Sequence, residues 1–312
     1  MPPDDFTCIE RLSAARQLAA SAVLAQVSNV VEGPLLLYKG PQAAAAYLDP
    51  AARDYEDLDL IVPDAARVQR ALIASGFVEI GDPALYRDIH HLRPLTWPGL
   101  PLPIEIHSRV KWPALLRSPP TFDDLIEQST QAAPGVAGVM APSPEHHALL
   151  LSAHAWAHAP LRRVRDLVDI GAATAIADGG GIEREARRWE LERIWRTTRA
   201  AVGSLFLGEA RPLSLRTWAR HLVELREPTV LEWHLQRDFS SFWAVPAEQA
   251  LGASARELMA ELRPAQGDRW REKLVRIRTA FGNATLSRFE HERVLGEMAR
   301  RPSDRANRPK AD

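Results

Sequence analysis

Cysteine is almost missing from the chain: Cys8 stands alone, so no intramolecular disulfide can form, and the usage fits a reducing cytoplasm. No His/Cys cluster has zinc-ligand spacing. A surplus of either charge is missing too. Thirty-nine Lys and Arg against 40 Asp and Glu leave a formal charge of -1, far from the basic balance that neutralises a phosphate backbone, so nucleic acid is not an expected partner. No apolar run reaches the roughly 18 residues needed to span a bilayer. The start, "MPPDDFTCIERL", is acidic and lacks an apolar core of signal-peptide length. The expectation is a soluble cytoplasmic protein that makes no membrane contact. What remains is an ordinary mixture, 46% hydrophobic and 25% charged over 312 residues, enough to bury a sizeable core in two domains.

Residues 9–26 are rich in Ala and Leu, with Arg11 and Arg16 on another face, and predict an amphipathic helix. The period then changes. "LLLY" reads as a strand, "KGP" as a turn, "QAAAAYL" as a short helix and "DLDLIV" as a strand. "DAARVQRALIASGF" reads as a capped helix ended by Gly76, and "LPIEIHSRV" as a strand approached through Pro-rich "LTWPGLPLP". This alternation predicts an α/β (α+β) fold with a small mixed sheet. Past residue 140 the strand signals vanish. "SPEHHALLLSAHAWAH" opens with a Ser cap and a Pro in the first turn, and "LRRVRDLVDIGAATAIA", "ELERIWRTTRAAVGSLFLG", "LSLRTWARHLVELRE" and "DRWREKLVRIRTAF" follow with helical spacing. The join is placed in "APGVAGVMAPS", giving a catalytic domain over 1–140 and an all-helical domain over 141–300. A tail over 301–312, with no apolar residue larger than Ala, cannot offset its ordering entropy and is expected to be mobile.

"RDYEDLDLIV" at 53–62 crowds acids at 54, 56, 57 and 59 before an apolar exit. Alternate side chains of a strand share a face, so Asp57 and Asp59 point together. Unpaired, they repel, and Asp57→Asn or Asp59→Asn is expected to leave the metal-free fold no less stable. A hard divalent ion removes the repulsion; Mg²⁺ is held by one or two carboxylates plus substrate phosphates. In "IEIH", Glu105 and His107 share a face and can add a third carboxylate from a neighbouring strand. The Lys39-Gly40 turn can present backbone N–H groups to phosphate. Arg53 is a candidate phosphate partner, or else an ion-pair partner of Asp54 or Glu56. His90 and His91 are weighed as phosphate or ribose contacts against polar strand residues, and Trp97 and Trp112 as stacking platforms against core residues.

In this order, "YKG" at 38–40, "RDYEDLDLIV" at 53–62, "GF" at 76–77 and "IEIH" at 104–107 resemble the uncharacterised nucleotidyltransferases with a DNA polymerase β-like fold. That family carries a Lys-Gly turn, a D-x-D strand and a later acid-x-His strand. The likeness runs from 30 to 175, more weakly through "LLLSAHAWAH" and "RRVRDLVDI". It implies transfer of a nucleoside monophosphate from an NTP to a hydroxyl or phosphate of a small molecule, peptide or protein. Asp57, Asp59 and Glu105 would be catalytic and would ligate Mg²⁺ or Mn²⁺; Lys39, Gly40 and Arg53 would meet the nucleotide. His107, Arg109, His154, Arg162, Arg163 and Asp166 are candidate substrate contacts, the last four placed by the expectation that the helical half walls the cleft. Two departures stand out. Lys-Gly-Pro replaces the superfamily's usual Gly-Ser turn, and the third acid is Glu rather than Asp. The Lys-Gly-Pro turn keeps open a degenerate nucleotide- or partner-binding relative, and a phosphohydrolase using the same acids on a single metal is a further alternative.

Overall fold

The computed structural model describes residues 8–86, 91–133, 135–264, 269–287 and 289–293; His90 and the tail over 301–312 lie outside them. The expected first helix is α1, Cys8–Val30, with Ala20, Val23, Leu24 and Val27 buried. The run "LLL" is too short for a helix and forms β1, Leu35–Leu37, followed by the single turn of α2, Pro41–Ala44. Alternation sets β2, Leu58–Ile61. Asp64 caps α3, Ala65–Ala74, by accepting from Arg67 N–H, and the chain leaves it through Gly76 at φ 112°, a backbone that glycine adopts without strain.

Two short strands, β3 (Val78–Glu79) and β4 (Leu95–Thr96), precede β5, Ile104–His107. A capping box starts α4, Phe122–Ile126, and β6 (Thr130–Gln131) and β7 (Val139–Ala141) complete a seven-stranded mixed sheet in the order β3-β4-β5-β2-β1-β7-β6. The fold class is thus the expected mixed α/β sheet followed by helices, with four strands that sequence reading passed over. They are two or three residues long, below the length at which alternation registers.

Register decides what the sheet does. β2 runs antiparallel to β1 and parallel to β5, pairing Leu36 with Ile61, Leu37 with Leu60, Asp59 with Glu105 and Ile61 with His107. One face carries Leu35, Leu37, Leu58, Leu60, Ile104 and Ile106, all buried in one core with α1 and α3. The opposite face therefore carries Tyr38, Asp59, Glu105 and His107. There α5, Pro144–His158, is fastened by His147 Nε2–H donating to Tyr38 O at 2.7 Å.

Next come α6 (Val164–Ala175), α7 (Gly179–Arg188) and α8 (Glu192–Phe206). Two compact units result: residues 1–159 with 164–202, and residues 160–163 with 203–312. Residues 133–143, read as the join, lead into β7 within the first unit. In the second unit "LSLRTWARHLVELRE" forms two helices, α9 (Leu213–Thr217) and α10 (Arg220–Glu224), parted around Trp218. It continues with α11 (Val230–Phe239), α12 (Ser241–Ala244), α13 (Ala247–Leu262) and α14 (Trp270–Gly282). Among the described residues no helix is long and apolar enough to cross a membrane.

Candidate active site

The parallel register sets Asp59 beside Glu105, and His107 follows on the same face. Ligand atoms of Asp59, Glu105 and His107 all lie within 4.8 Å of one another. His107 Nε2 stands 2.9 Å from Asp59 Oδ1 and 3.6 Å from Glu105 Oε2, and His91 Nε2 is 3.5 Å from the same Glu105 oxygen. Asp57 is outside this set. It lies one residue before β2, two residues or roughly 6–7 Å along the strand from Asp59, so the pairing that joins Asp59 to Glu105 leaves it alongside rather than between them. His107 was expected near the site but not as a member of the trio. Its signal was the i+2 spacing from Glu105.

Charge on this face is held in balance. Asp59 is buried, at 2% exposure, which disfavours its ionised form; the nearby charge of Lys39 and the contact with His107 outweigh that and hold the carboxyl below its usual range. Glu105 goes the other way, pushed up to about 8 by burial and by the charges of Asp59 and Asp57. Asp57 is raised as well, by burial and then by Asp59. Clustered acids at a buried face raise one another in this way unless a cation intervenes. Oδ2 of Asp59 is buried with no hydrogen-bond donor on it; Lys39 Nζ is 3.6 Å away.

Lys39 also approaches His154 Nε2 to 2.6 Å and lies over the Tyr38 ring. Burial and the charge of Lys39 push His154 far below its ordinary value, so a neutral imidazole accepts from the ammonium. Gly40 has φ 58°, and a Cβ there would stand 3.0 Å from Asp57 O and 3.2 Å from Leu58 Cδ2, so the turn requires glycine. Its backbone donors are less available than expected. Pro41 has no N–H, and Gln42 gives its own to Lys39 O at 3.2 Å.

Arg53 takes neither acid weighed for it. Its Nε and Nη2 donate to the two oxygens of Asp169 on α6 at 2.7 and 2.8 Å, and its Nη1 to Gly40 O at 3.3 Å. Asp169 also accepts from Tyr47 O–H. A buried two-point Arg–carboxylate pair is a strong local link; here it pins α6 to the Gly40 turn and occupies the fork proposed for phosphate. Asp169, Tyr47 and Tyr38 were not singled out as site residues, because contacts over 100 residues apart leave no local pattern.

Arg109 is exposed just beyond His107, and Asp166 is half-buried on α6. Arg162 and Arg163 are exposed and belong to the second unit. Trp97 packs edge-on against Phe77, and Trp112 against Trp189; the first is seated at the core and the second at another indole.

Two carboxylates and an imidazole converging on a buried sheet face define a candidate divalent-cation centre of the kind that phosphoryl- and nucleotidyl-transfer chemistry uses. The family described as "Uncharacterised nucleotidyltransferase" matches residues 2–206, and the chain belongs to it. No curated protein matches the chain.

Proposed function

We propose that this protein transfers a nucleoside monophosphate from an NTP to a hydroxyl or phosphate group of a small molecule, peptide or protein, with Mg²⁺ or Mn²⁺ as cofactor. The observation that carries the reading is the Asp59–Glu105–His107 cluster on adjacent parallel strands, in a chain of the nucleotidyltransferase family. The donors fit a divalent ion: two carboxylates and an imidazole within 4.8 Å, and a buried Asp59 oxygen with no donor on it. Asp57, whose carboxyl feels the charge of Asp59, is proposed as a further oxygen ligand. One imidazole among oxygens suits Mn²⁺ at least as well as Mg²⁺.

When bound, such an ion supplies charge neutralisation at phosphoryl oxygens and makes an acceptor hydroxyl easier to deprotonate. The chain supplies the rest. Glu105 keeps a proton near neutral pH and must give it up to act as a ligand. Lys39, held by His154, directs its remaining N–H groups at the same face. Arg53 and Asp169 hold the Gly40 turn in place. The acceptor oxygen attacks the α-phosphorus in line as the bond to the bridging oxygen breaks and pyrophosphate leaves, with no covalent enzyme intermediate. His107, Arg109 and Asp166 are candidate contacts for the acceptor, and Arg162 and Arg163 are proposed only as further phosphate partners.

The test is pyrophosphate release from each of the four NTPs with Mg²⁺ or Mn²⁺ across an acceptor screen, with Asp59→Asn as control. Asp59-dependent pyrophosphate release supports the reading. Only one three-donor group occurs among the described residues, which favours single-metal phosphate hydrolysis as the second reading; release of orthophosphate alone selects it. NTP binding without any turnover selects a degenerate binder.

A further inference from the structure

The loop after β5 brings a second lysine to the site face. Lys111 Nζ lies 2.7 Å from His158 Nδ1, as Lys39 Nζ lies 2.6 Å from His154 Nε2. The two histidines are four residues apart on α5, one turn of one helix face, with ring centroids 4.5 Å apart. Two lysines are thus set side by side, each on an imidazole from the same helix.

Buried or half-buried lysines are ordinarily matched by a carboxylate. Here Lys39 has Asp59 at 3.6 Å, but the nearest partner of each lysine is an imidazole; His154 is held neutral, so its contact fixes the ammonium without cancelling its charge. An ammonium has three donors; one engaged by histidine leaves the others to be directed elsewhere. The bland explanation is a pair of surface Lys–His contacts. Against it, both lysines are partly buried and feel each other: burial and then the charge of Lys39 hold the Lys111 ammonium below its ordinary value. Holding like charges together costs free energy unless an anion joins them. The acids nearby, Asp59 first among them and Glu105 once it has given up its proton, serve as that counter-charge only while no divalent ion occupies them. Once an ion neutralises them, the lysine pair is in positive excess and an oligoanion completes the balance.

We propose that Lys39 and Lys111, positioned by His154 and His158, form a polyphosphate subsite that grips the β- and γ-phosphates of the NTP. This rests on the nucleotidyl-transfer reading, and it accounts for the Lys-Gly-Pro turn: the ammonium pair takes the place of the missing serine hydroxyl. Lys39 and Lys111 touch the ligand, whereas His154 and His158 act only through them.

The experiment is calorimetric titration of the full-length protein, in fixed Mg²⁺ and salt, with inorganic tripolyphosphate, the four NTPs and the matching NMPs. Lys111→Met, Lys111→Arg, His158→Phe and His158→Gln are compared with wild type, and thermal melts confirm that each folds. Loss of one charge-assisted contact set is expected to weaken tripolyphosphate and NTP binding by the same factor, about 10–100-fold in Lys111→Met. NMP binding should be unchanged. Lys111→Arg should keep most of the affinity, and His158→Gln, which retains an acceptor, should exceed His158→Phe. Unchanged tripolyphosphate affinity in Lys111→Met, with NTP still bound, overturns the subsite and leaves nucleotidyl transfer standing. Lys111-dependent tripolyphosphate binding with no pyrophosphate release from any NTP supports the subsite and removes the transfer reading. Failure of the wild type to bind tripolyphosphate overturns the proposal outright.

Discussion

At the scale of single residues, the two acids of the D-x-D pair have opposite characters. Asp57 is raised by burial and by its neighbour, so Asp57→Asn removes a repulsion and should not lower the stability of the metal-free protein. Asp59 is different, because Lys39 and His107 both lean on its charge. The expectation that neither substitution lowers the metal-free stability is therefore kept for Asp57 and revised for Asp59. Asp59→Asn strands a partly buried ammonium without its anion and should cost about 1–3 kcal/mol in the presence of chelator. Urea unfolding of the two variants in EDTA measures the difference. Equal midpoints for Asp59→Asn and wild type would mean that Asp59 is not the internal counter-ion described above. In saturating Mn²⁺ or Mg²⁺ the order of effects changes: both variants should lose the stabilisation by metal expected of wild type, since ligand binding raises stability only where the site binds.

At the scale of elements, the helix that covers the site face is tied down by a histidine that cannot readily charge. Burial pushes His147 down to about 4, only partly opposed by its hydrogen bond to Tyr38 O. A depressed histidine contributes stability that is complete above its unfolded pKa of roughly 6.5 and is lost as pH falls towards 4. The predicted loss over that window is about 3 kcal/mol, and His147→Gln, which keeps a donor and has no proton to gain, should flatten it. Thermal melts from pH 7.5 to 4 decide; parallel curves for the two proteins would mean that α5 is not fastened by this group. The same helix shows what sequence could reveal and what it could not. Ser143 and Pro144 announced its start, and the alternation of 58–61 and 104–107 announced the site strands, because caps and period are local. The lysine–histidine contacts, the Arg53–Asp169 pair and the choice of His107 rather than Asp57 as the third close donor arise from strand register and helix docking. No window of sequence contains them. The brief strands β3, β4, β6 and β7 were invisible for another reason: they hold their place through sheet neighbours and the core, with little pattern of their own.

At the scale of the whole molecule, the first unit ends at residue 202 and the family match at 206, and Asp57, Asp59, Glu105, His107, Lys39 and Lys111 all lie before residue 112. The second unit carries its own polar anchor. Arg226 Nη1 and Nη2 donate to the two oxygens of Glu232 at 2.7 Å each, while Thr229 N–H donates to Glu232 Oε2 at 2.8 Å. Glu232 is 5% exposed, so removing the guanidinium leaves a carboxylate buried with only the helix cap to satisfy it. Breaking such a pair from one side is far costlier than losing a surface ion pair; because Arg226 is itself a third exposed, solvent screening reduces the expected cost of Arg226→Ala to about 1–3 kcal/mol. If the metal and polyphosphate groups form a self-sufficient site in the first unit, that loss should not reach them. Arg226→Ala should unfold at lower denaturant, yet bind Mn²⁺ and tripolyphosphate as wild type does at temperatures where it is folded. Asp59→Asn should do the opposite in the binding assay. A parallel fall of stability and of metal affinity in Arg226→Ala would show that the second unit shapes the site, and would move the search for acceptor contacts to residues beyond 203.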